Sequence, residues 1–272
     1  TVTGQHGVVV SEHSYHGNSS LVSLLSTDGY PAADRPGWLG VIDAPNDYRG
    51  RFRVDDPDLD GANLDGVNLD GVNLGERYAD LVTDELDALN QRGHRPAAWL
   101  VDPSWDSNGV LVAPDGYVER SAQLIRAATP EIAVAFAERR SYFNTFGGNP
   151  VSAAVANSVL DVIEDQQLLQ NASAVGIELS TQLTELAARY NVIGNVQGGG
   201  LFWGLDLVAD RATRTPIAYD DGRRLATELR HDGILIGLTG PHSNVLKIRP
   251  PLTFSSEHVD RLVEVLDARL AK

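Results

Sequence analysis

The first half of the chain alternates short apolar runs with longer stretches of helical periodicity. Apolar runs that suit buried strands lie at 7–11, 39–43 and 97–102, and helical periodicity is found at 76–92 and 115–128. Strands that alternate with helices predict a parallel sheet whose strands are joined by helical crossovers. We therefore expect an α/β unit in this half of the chain.

The second half has a different pattern, in which helices alternate with short strands. Asn149 is a suitable cap for a helix that has Pro150 at its first position. Helices are also predicted at 172–190, 222–231 and 257–270, and strands at 192–196, at 201–208, near Ile234 and near Val245. This pattern predicts a compact α+β unit, so that the two domains cover residues 1–142 and 143–272.

Composition restricts the partners that we expect for the protein. The 272 residues carry a formal charge of −15 and include no Cys. Nucleic acids and anionic membranes are disfavoured as partners, because both attract clustered Lys and Arg. No stretch approaches the roughly 18 apolar residues that suggest a membrane span, and without Cys there is no disulfide framework. The expected location is cytoplasmic.

Residues 57–75 form a low-complexity insert with a five-residue period. The repeated pairs are Asp58-Leu59, Asn63-Leu64, Asn68-Leu69 and Asn73-Leu74. They resemble pentapeptide repeats, but four units supply only about one coil of a β-helix. Three interpretations stay open: a surface loop expanded by repetition, a small β-helical coil, and weak calcium binding. Calcium fits poorly, because an EF-hand loop that starts at Asp56 has Val67 where the twelfth position needs a Glu.

Three candidate ligand-contacting residues follow the predicted strands of the first half. Tyr15 and His16 come after the first strand, and open parallel sheets bind ligands at the carboxyl ends of their strands. The alternative is an aromatic residue and a histidine that are simply packed in a loop. Asp102 follows the third strand and precedes Pro103, so that its carboxylate either contacts a ligand or caps the turn.

Two further candidates lie in the second half. Thr145 belongs to a Gly-rich turn before a predicted helix, where a hydroxyl, backbone amides and a helix N-terminus suit a phosphate group. The same residues also form a plain turn. Lys247 is one of only two lysines, the other being Lys272, and it is either a ligand contact or an exposed strand lysine. The residues indicate no metal site and no catalytic group.

The turn at 143–150, Phe-Asn-Thr-Phe-Gly-Gly-Asn-Pro, resembles that of class III aminotransferases, which are pyridoxal-phosphate (PLP) enzymes of fold-type I. The likeness extends over nearly the whole chain apart from the insert. It implies a large domain with an incomplete parallel sheet, a C-terminal α+β small domain, PLP as the cofactor and a homodimer.

The same resemblance implies roles for four residues at a cofactor site. Tyr15 corresponds to the aromatic residue that stacks on the PLP ring, with His16 beside it. Asp102 stands where many relatives have a Glu that helps to position cofactor and substrate. Thr145 corresponds to the threonine that reaches the PLP phosphate across the dimer interface.

Lys247 occupies the position at which many class III aminotransferases place an Arg for the α-carboxylate of an amino acid. Members that resemble ethanolamine-phosphate phospho-lyase carry Lys there. The segments 47–50, 213–216 and 240–244 are similar to the same subgroup. The resemblance therefore implies a small amine or a phosphorylated amine as substrate.

One part of the family pattern is absent. In relatives the Schiff-base lysine precedes the 143–150 turn, whereas no lysine precedes Lys247 in this chain. An imine with PLP needs a primary amine. The block that carries this lysine, and the Asp that pairs with the pyridine nitrogen, would fall between residues 128 and 129.

We therefore expect a catalytically incomplete protein that binds PLP weakly or not at all. The alternative is a PLP-independent, non-catalytic scaffold that binds a small molecule or a protein partner through the retained cleft and dimer surface.

Overall fold

A computed structural model gives the structure of residues 4–29, 31–55, 74–128 and 149–271. The chain divides into two compact units. The first unit comprises Thr1–Ala135 with Thr239–Pro241, and the second comprises Phe136–Leu238 with His242–Lys272. The predicted boundary near residue 142 falls outside the described residues and stays a prediction. Most of the insert, residues 57–73, and Thr145 also lie outside them.

The first unit contains a parallel sheet with helices. Its elements are β1 (Gly7–Ser11), α1 (Ser20–Leu25), β2 (Leu39–Ile42), α2 (Leu74–Gln91), β3 (Pro96–Trp99) and α3 (Tyr117–Ala128). The strand order is β2-β1-β3, and both neighbours of β1 run parallel to it. Val9 and Val10 point to opposite faces of β1 and are both fully buried, as a sheet covered on both faces requires. The predicted α/β architecture of this half is confirmed.

Helix α2 holds the first unit together from one side of the sheet. It includes Leu74, two residues earlier than the predicted start, so Leu74 and Gly75 at the end of the insert belong to the helix. Leu74 is buried, and a Cβ at Gly75 would collide with the carbonyl oxygen of Asp115. The rings of Tyr78 and Tyr117 are packed edge-on with centroids 6.4 Å apart. The end of the insert is therefore part of the packed core of the first unit.

The second unit is an antiparallel sheet covered by helices. Its elements are α4 (Pro150–Asp165), α5 (Leu168–Arg189), β4 (Ile193–Gly199), β5 (Phe202–Asp210), β6 (Thr215–Pro216), α6 (Tyr219–His231), β7 (Gly237–Thr239), β8 (Val245–Ile248) and α7 (Ser256–Leu270). The strand order is β4-β5-β8-β7, and β6 pairs with β5. The prediction of a strand near Ile234 is wrong, because β7 begins only at Gly237.

One hydrophobic core fills the space between this sheet and the helices α5, α6 and α7. Its fully buried leucines are Leu179, Leu183, Leu186, Leu205, Leu207, Leu229, Leu246 and Leu266. Helix α4 begins as predicted, with the Asn149 side chain accepting a hydrogen bond from the backbone N–H of Val151 at 2.9 Å. Although it lies within the described residues 149–271, α4 has no buried residue.

Two classes of feature are absent from the parts of the chain that the structure describes. None of the helices there is long and apolar enough to cross a lipid bilayer. The same residues contain no group of three or more His, Asp or Glu side chains that is arranged to hold a metal ion.

Candidate functional site

The loops that follow β1 and β3 meet at the carboxyl edge of the parallel sheet. The indole Nε1 of Trp105 donates a hydrogen bond to the Ser11 hydroxyl at 3.2 Å, and the Asn108 amide donates to the Glu12 carbonyl at 2.7 Å. These contacts join residues more than ninety positions apart in the sequence. The loops that carry Tyr15–His16 and Asp102 are thereby tied together, at the edge where open parallel sheets bind ligands.

His16 is half-buried and has a polar atom that needs a partner. Its Nε2 is buried and has no hydrogen-bond partner among the described residues. Burial lowers the pKa of His16, and the nearby Asp102 carboxylate acts in the opposite direction. Buried polar atoms are nearly always satisfied by protein, water or ligand. A neutral imidazole at this position therefore leaves one ring nitrogen without a described protein partner next to the carboxyl edge of the sheet.

Tyr15 differs from its neighbours because its side chain is 52% exposed. The residues before it, Ser11 and Ser14, are buried. An exposed aromatic ring on a segment that is otherwise anchored provides a flat surface on which another ring can stack.

Asp102 has two partners of its own in the turn after β3. One carboxylate oxygen accepts the backbone N–H of Ser104 at 3.0 Å, and the other accepts the N–H of Asp106 at 3.1 Å. These hydrogen bonds agree with the interpretation in which Asp102 caps the turn. Its charge still acts on His16, so the structure places Asp102 near His16, whereas its role toward a cofactor stays a prediction.

Three of the six described non-Gly residues with positive φ lie in the same two loops. His13, Trp105 and Val110 have φ values of 50°, 40° and 65°. This left-handed region is unfavourable for residues with a Cβ, and most of all for a β-branched residue such as Val110. The hydrogen bonds and burial around Trp105 hold it in this conformation. Such strain is often found at ligand sites, and no periodicity in the sequence indicated it.

The loop after β2 contains the segment 47–50 and is also fixed. The Asn46 side chain accepts backbone N–H groups of Tyr48 at 3.0 Å and of Arg49 at 2.8 Å. Asp43 pairs with Arg51 at 2.8 Å. A Cβ at Gly50 would collide with the Tyr78 hydroxyl. Close packing therefore explains why a glycine is found at this position.

Lys247 belongs to the second unit, in β8. It is half-buried, and its antiparallel partner across β5 is Gly204, which has no side chain. The other candidates, Tyr15, His16 and Asp102, belong to the first unit. The structure therefore brings His16 and Asp102 together within one unit and describes Lys247 in the other.

The described residues fit part of a PLP site. The exposed ring of Tyr15 and the unpartnered Nε2 of His16 suit an aromatic, polar ligand of this kind. Covalent attachment does not fit, because no lysine occurs in the sequence before Lys247.

Comparison with known proteins identifies the family. A family model of aminotransferase class-III matches residues 124–270. Ethanolamine-phosphate phospho-lyase homolog 1 of Caenorhabditis elegans is 30% identical over 323 residues, which include 97% of this chain and 67% of the relative. Alanine–glyoxylate aminotransferase 2 homolog 2 of Arabidopsis thaliana is 44% identical over 144 residues, or 53% of this chain and 30% of the relative.

Solved structures extend the comparison to the fold. A phospholyase from Arthrobacter in complex with phosphoethanolamine has a TM-score of 0.84 and 28% identity, covering 99% of this chain and 72% of its own. A PLP-bound amine transaminase from an uncultivated Pseudomonas species has a TM-score of 0.79 at 23% identity, covering 99% and 70%. These similarities confirm the fold-type I architecture.

The chain is nevertheless shorter than these proteins. It spans 67% of the nematode relative and 30% of the plant relative. The nematode alignment covers 323 positions although this chain has 272 residues, so several dozen positions of the relative have no counterpart here. With the family model matched over more than half of its length, the chain belongs to the class III aminotransferases, a family whose cofactor is PLP.

Proposed function

We propose that this chain binds a small phosphorylated amine reversibly. We also propose that it is catalytically incomplete, because it forms no covalent bond with PLP. The observation that carries the proposal is that residues suited to a ligand lie at the carboxyl edge of the parallel sheet, whereas the lysine that would form an imine with PLP is missing. Tyr15 and His16 present an exposed ring and an unpartnered nitrogen, whereas no lysine precedes Lys247.

The class of ligand is supported by Lys247 and by one relative. The Arthrobacter phospholyase was solved with phosphoethanolamine. A lysine ammonium is a compact point charge that suits a single phosphate oxygen, whereas the planar fork of an Arg suits a carboxylate. The Lys at position 247 therefore favours a phosphate on the ligand over an α-carboxylate.

PLP, when bound, supplies an electron sink for chemistry at the carbon next to an amine. In this chain Tyr15 would provide a face for its ring, His16 a hydrogen bond and Thr145 a contact to its phosphate. Thr145 lies outside the described residues, so its contribution rests on the sequence resemblance alone.

The missing lysine limits what the chain does after binding. Transamination and phospho-lyase elimination both need a group that takes up and returns a proton at the reacting carbon, which is the work of general acid–base catalysis. The carboxylate of Asp102 already accepts two backbone N–H groups, and neither His16 nor Asp102 is a primary amine. If the native polypeptide includes the positions that the relatives have and this chain lacks, the function is PLP-dependent transamination or phospho-lyase elimination.

A second candidate function is a scaffold that acts through its surface. Helix α4 exposes Val151 by 70%, Val155 by 61% and Val159 by 55%, and these residues share one helical face. Exposed apolar faces of this kind are typical of interaction sites. We propose a homodimer in which two copies of this face pack together, with or without a ligand at the sheet edge.

Calorimetry with phosphoethanolamine, ethanolamine and alanine tests the principal proposal. We expect saturable binding of phosphoethanolamine and much weaker binding of the other two compounds. With added PLP, we expect no release of inorganic phosphate from phosphoethanolamine. Steady phosphate release by the purified chain would overturn the incomplete-enzyme proposal, and equal binding of all three amines would overturn the phosphate preference.

A further inference from the structure

The segment Ser11–His16, which carries Tyr15 and His16, is anchored from several directions. The backbone N–H of Glu12 donates to the Ile42 carbonyl at 2.8 Å. The Ser107 hydroxyl donates to the His13 carbonyl at 2.6 Å. These bonds fix the start of the segment against β2 and against the turn after β3, but they end two residues before the exposed Tyr15 ring.

The remaining anchors come from two hydroxyls at the end of α1. The Thr27 hydroxyl accepts the backbone N–H of Ser14 at 2.9 Å and donates to the carbonyl of Ser11 at 2.8 Å. It also lies 3.3 Å from the Ser14 hydroxyl. Thr27 is only 3% exposed, so water does not replace these bonds easily.

Ser26 directly precedes Thr27 in the sequence, and it binds the residue that follows Tyr15. Its hydroxyl accepts the backbone N–H of His16 at 2.9 Å and has the Val22 carbonyl of α1 as an acceptor at 3.2 Å. Ser26 is 6% exposed. The residues before and after Tyr15 are thus held by adjacent hydroxyls, which leaves the Tyr15 ring as the exposed group between two fixed points.

We propose that Ser26 and Thr27 are positioning residues that hold Tyr15 and His16 in the conformation that receives a ligand. The inference rests on the proposed function, in which this pair contacts the ligand. A segment that is ordered before binding loses less conformational freedom on binding, and ligand-contacting side chains work best when neighbouring hydrogen bonds lock them.

The chemistry of the two residues explains why hydroxyls are needed. Thr27 both accepts and donates, which Ser can reproduce and the isosteric Val cannot. Removing the Ser26 hydroxyl takes the acceptor away from the partly buried N–H of His16, and a donor without a partner at such a position is unfavourable. Ser23, in the same helix, is a matched control because its hydroxyl donates to the Ser20 carbonyl at an exposed position.

The test compares Thr27→Val, Thr27→Ser, Ser26→Ala and the control Ser23→Ala. The first readout is the titration of the His16 imidazole, followed by NMR without any ligand. The second is the affinity for pyridoxamine 5′-phosphate, which has the ring and phosphate of PLP but no aldehyde, followed by its fluorescence. We expect Thr27→Val and Ser26→Ala to raise the pKa of His16 and to weaken binding by about 3- to 10-fold, the effect of one net hydrogen bond.

Thr27→Ser and Ser23→Ala should match the parent in both readouts. The inference is overturned if Thr27→Val and Ser26→Ala have the His16 titration and the ligand affinity of the parent. It is also overturned if Thr27→Ser loses as much affinity as Thr27→Val, because the effect would then be due to packing. If the parent does not bind pyridoxamine 5′-phosphate, the proposed cofactor site fails, and the His16 titration alone decides the positioning role. If Thr27→Val does not fold, Ser26→Ala decides it.

Discussion

The hydroxyl of Tyr78, in α2, lies 2.7 Å from the carbonyl oxygen of Asn46 and donates a hydrogen bond to it. The Tyr78 hydroxyl oxygen also accepts the backbone N–H of Phe52 at 3.2 Å, and the rings of Tyr78 and Phe52 are packed edge-on with centroids 5.2 Å apart. One tyrosine therefore ties both ends of the loop after β2 to the helix. This loop contains the segment 47–50 that resembles the phospho-lyase-like subgroup.

Tyr78→Phe should lower the free energy of unfolding by about 1–3 kcal/mol, because the partly buried N–H of Phe52 loses its acceptor and the Asn46 carbonyl keeps only the N–H of Gly50 as a donor. The ring itself stays packed, so the loss reports on the hydroxyl. Urea denaturation of the variant measures it. Tyr219→Phe is the control, since Tyr219 is 54% exposed. Equal stability of the two variants would show that the loop does not depend on Tyr78.

His16 should make the stability of the first unit depend on pH. Burial lowers its pKa in the folded state, with Asp102 opposing the shift, so the unfolded chain takes up the proton first as the pH falls. The contribution of His16 is present above the unfolded pKa of about 6.5 and is lost as the pH falls below it. Urea denaturation at pH 7.5 and pH 5.5, values chosen at about one unit on either side, should show a smaller loss in His16→Gln than in the parent. Equal losses would contradict the shift.

Much of the fold follows from local sequence patterns. The apolar runs at β1 and β2, the Asn149–Pro150 helix start and the period of α7 each depend on residues close together in the chain, and the structure has them where they were predicted. The strand near Ile234 was wrong, because a short apolar run does not distinguish a paired strand from the extended approach to one. Helix α1 was missed because it has only six residues.

The anchoring of the candidate site was not predictable in this way. Tyr15, His16 and Asp102 were identified from their positions after strands. The contact of Trp105 with Ser11 joins residues 94 positions apart, and the contact of Thr27 with Ser11 joins residues 16 apart. Ser and Thr have no periodicity that reveals burial. A polar pair such as Ser26–Thr27 directly after an apolar turn of helix was the only local signal, and it is also typical of any helix end.

The exposed valines of α4 should mediate self-association. Light scattering at micromolar concentration should give the mass of a dimer or a larger assembly for the parent. The double substitution Val155→Glu and Val159→Glu should give a monomer, because burying two carboxylates in an apolar interface is unfavourable. Val112→Glu, at an exposed valine of the first unit, is the control and should remain associated. A well-folded monomeric parent would remove the homodimer proposal.

Lys247→Ala should weaken the binding of phosphoethanolamine by about 1.5–3 kcal/mol, the usual loss for a hydrogen bond to a charged group. Alanine, which has no phosphate, should bind as weakly as it does to the parent. Lys247→Arg should shift the preference toward carboxylates, since its fork matches their geometry. Calorimetry of the three proteins provides the comparison. Equal losses for both ligands in Lys247→Ala would make this lysine a general source of positive charge.

Borohydride reduction of the chain with PLP, followed by intact mass measurement and peptide mapping, tests the central claim most directly. Reduction converts any imine between PLP and a lysine into a stable bond that adds a fixed mass. Because no lysine precedes Lys247, we predict reversible binding of PLP, an unchanged mass for most of the protein and only scattered, substoichiometric labelling. A single, stoichiometric adduct at one lysine would contradict the account and restore the chain as a PLP enzyme in its own right.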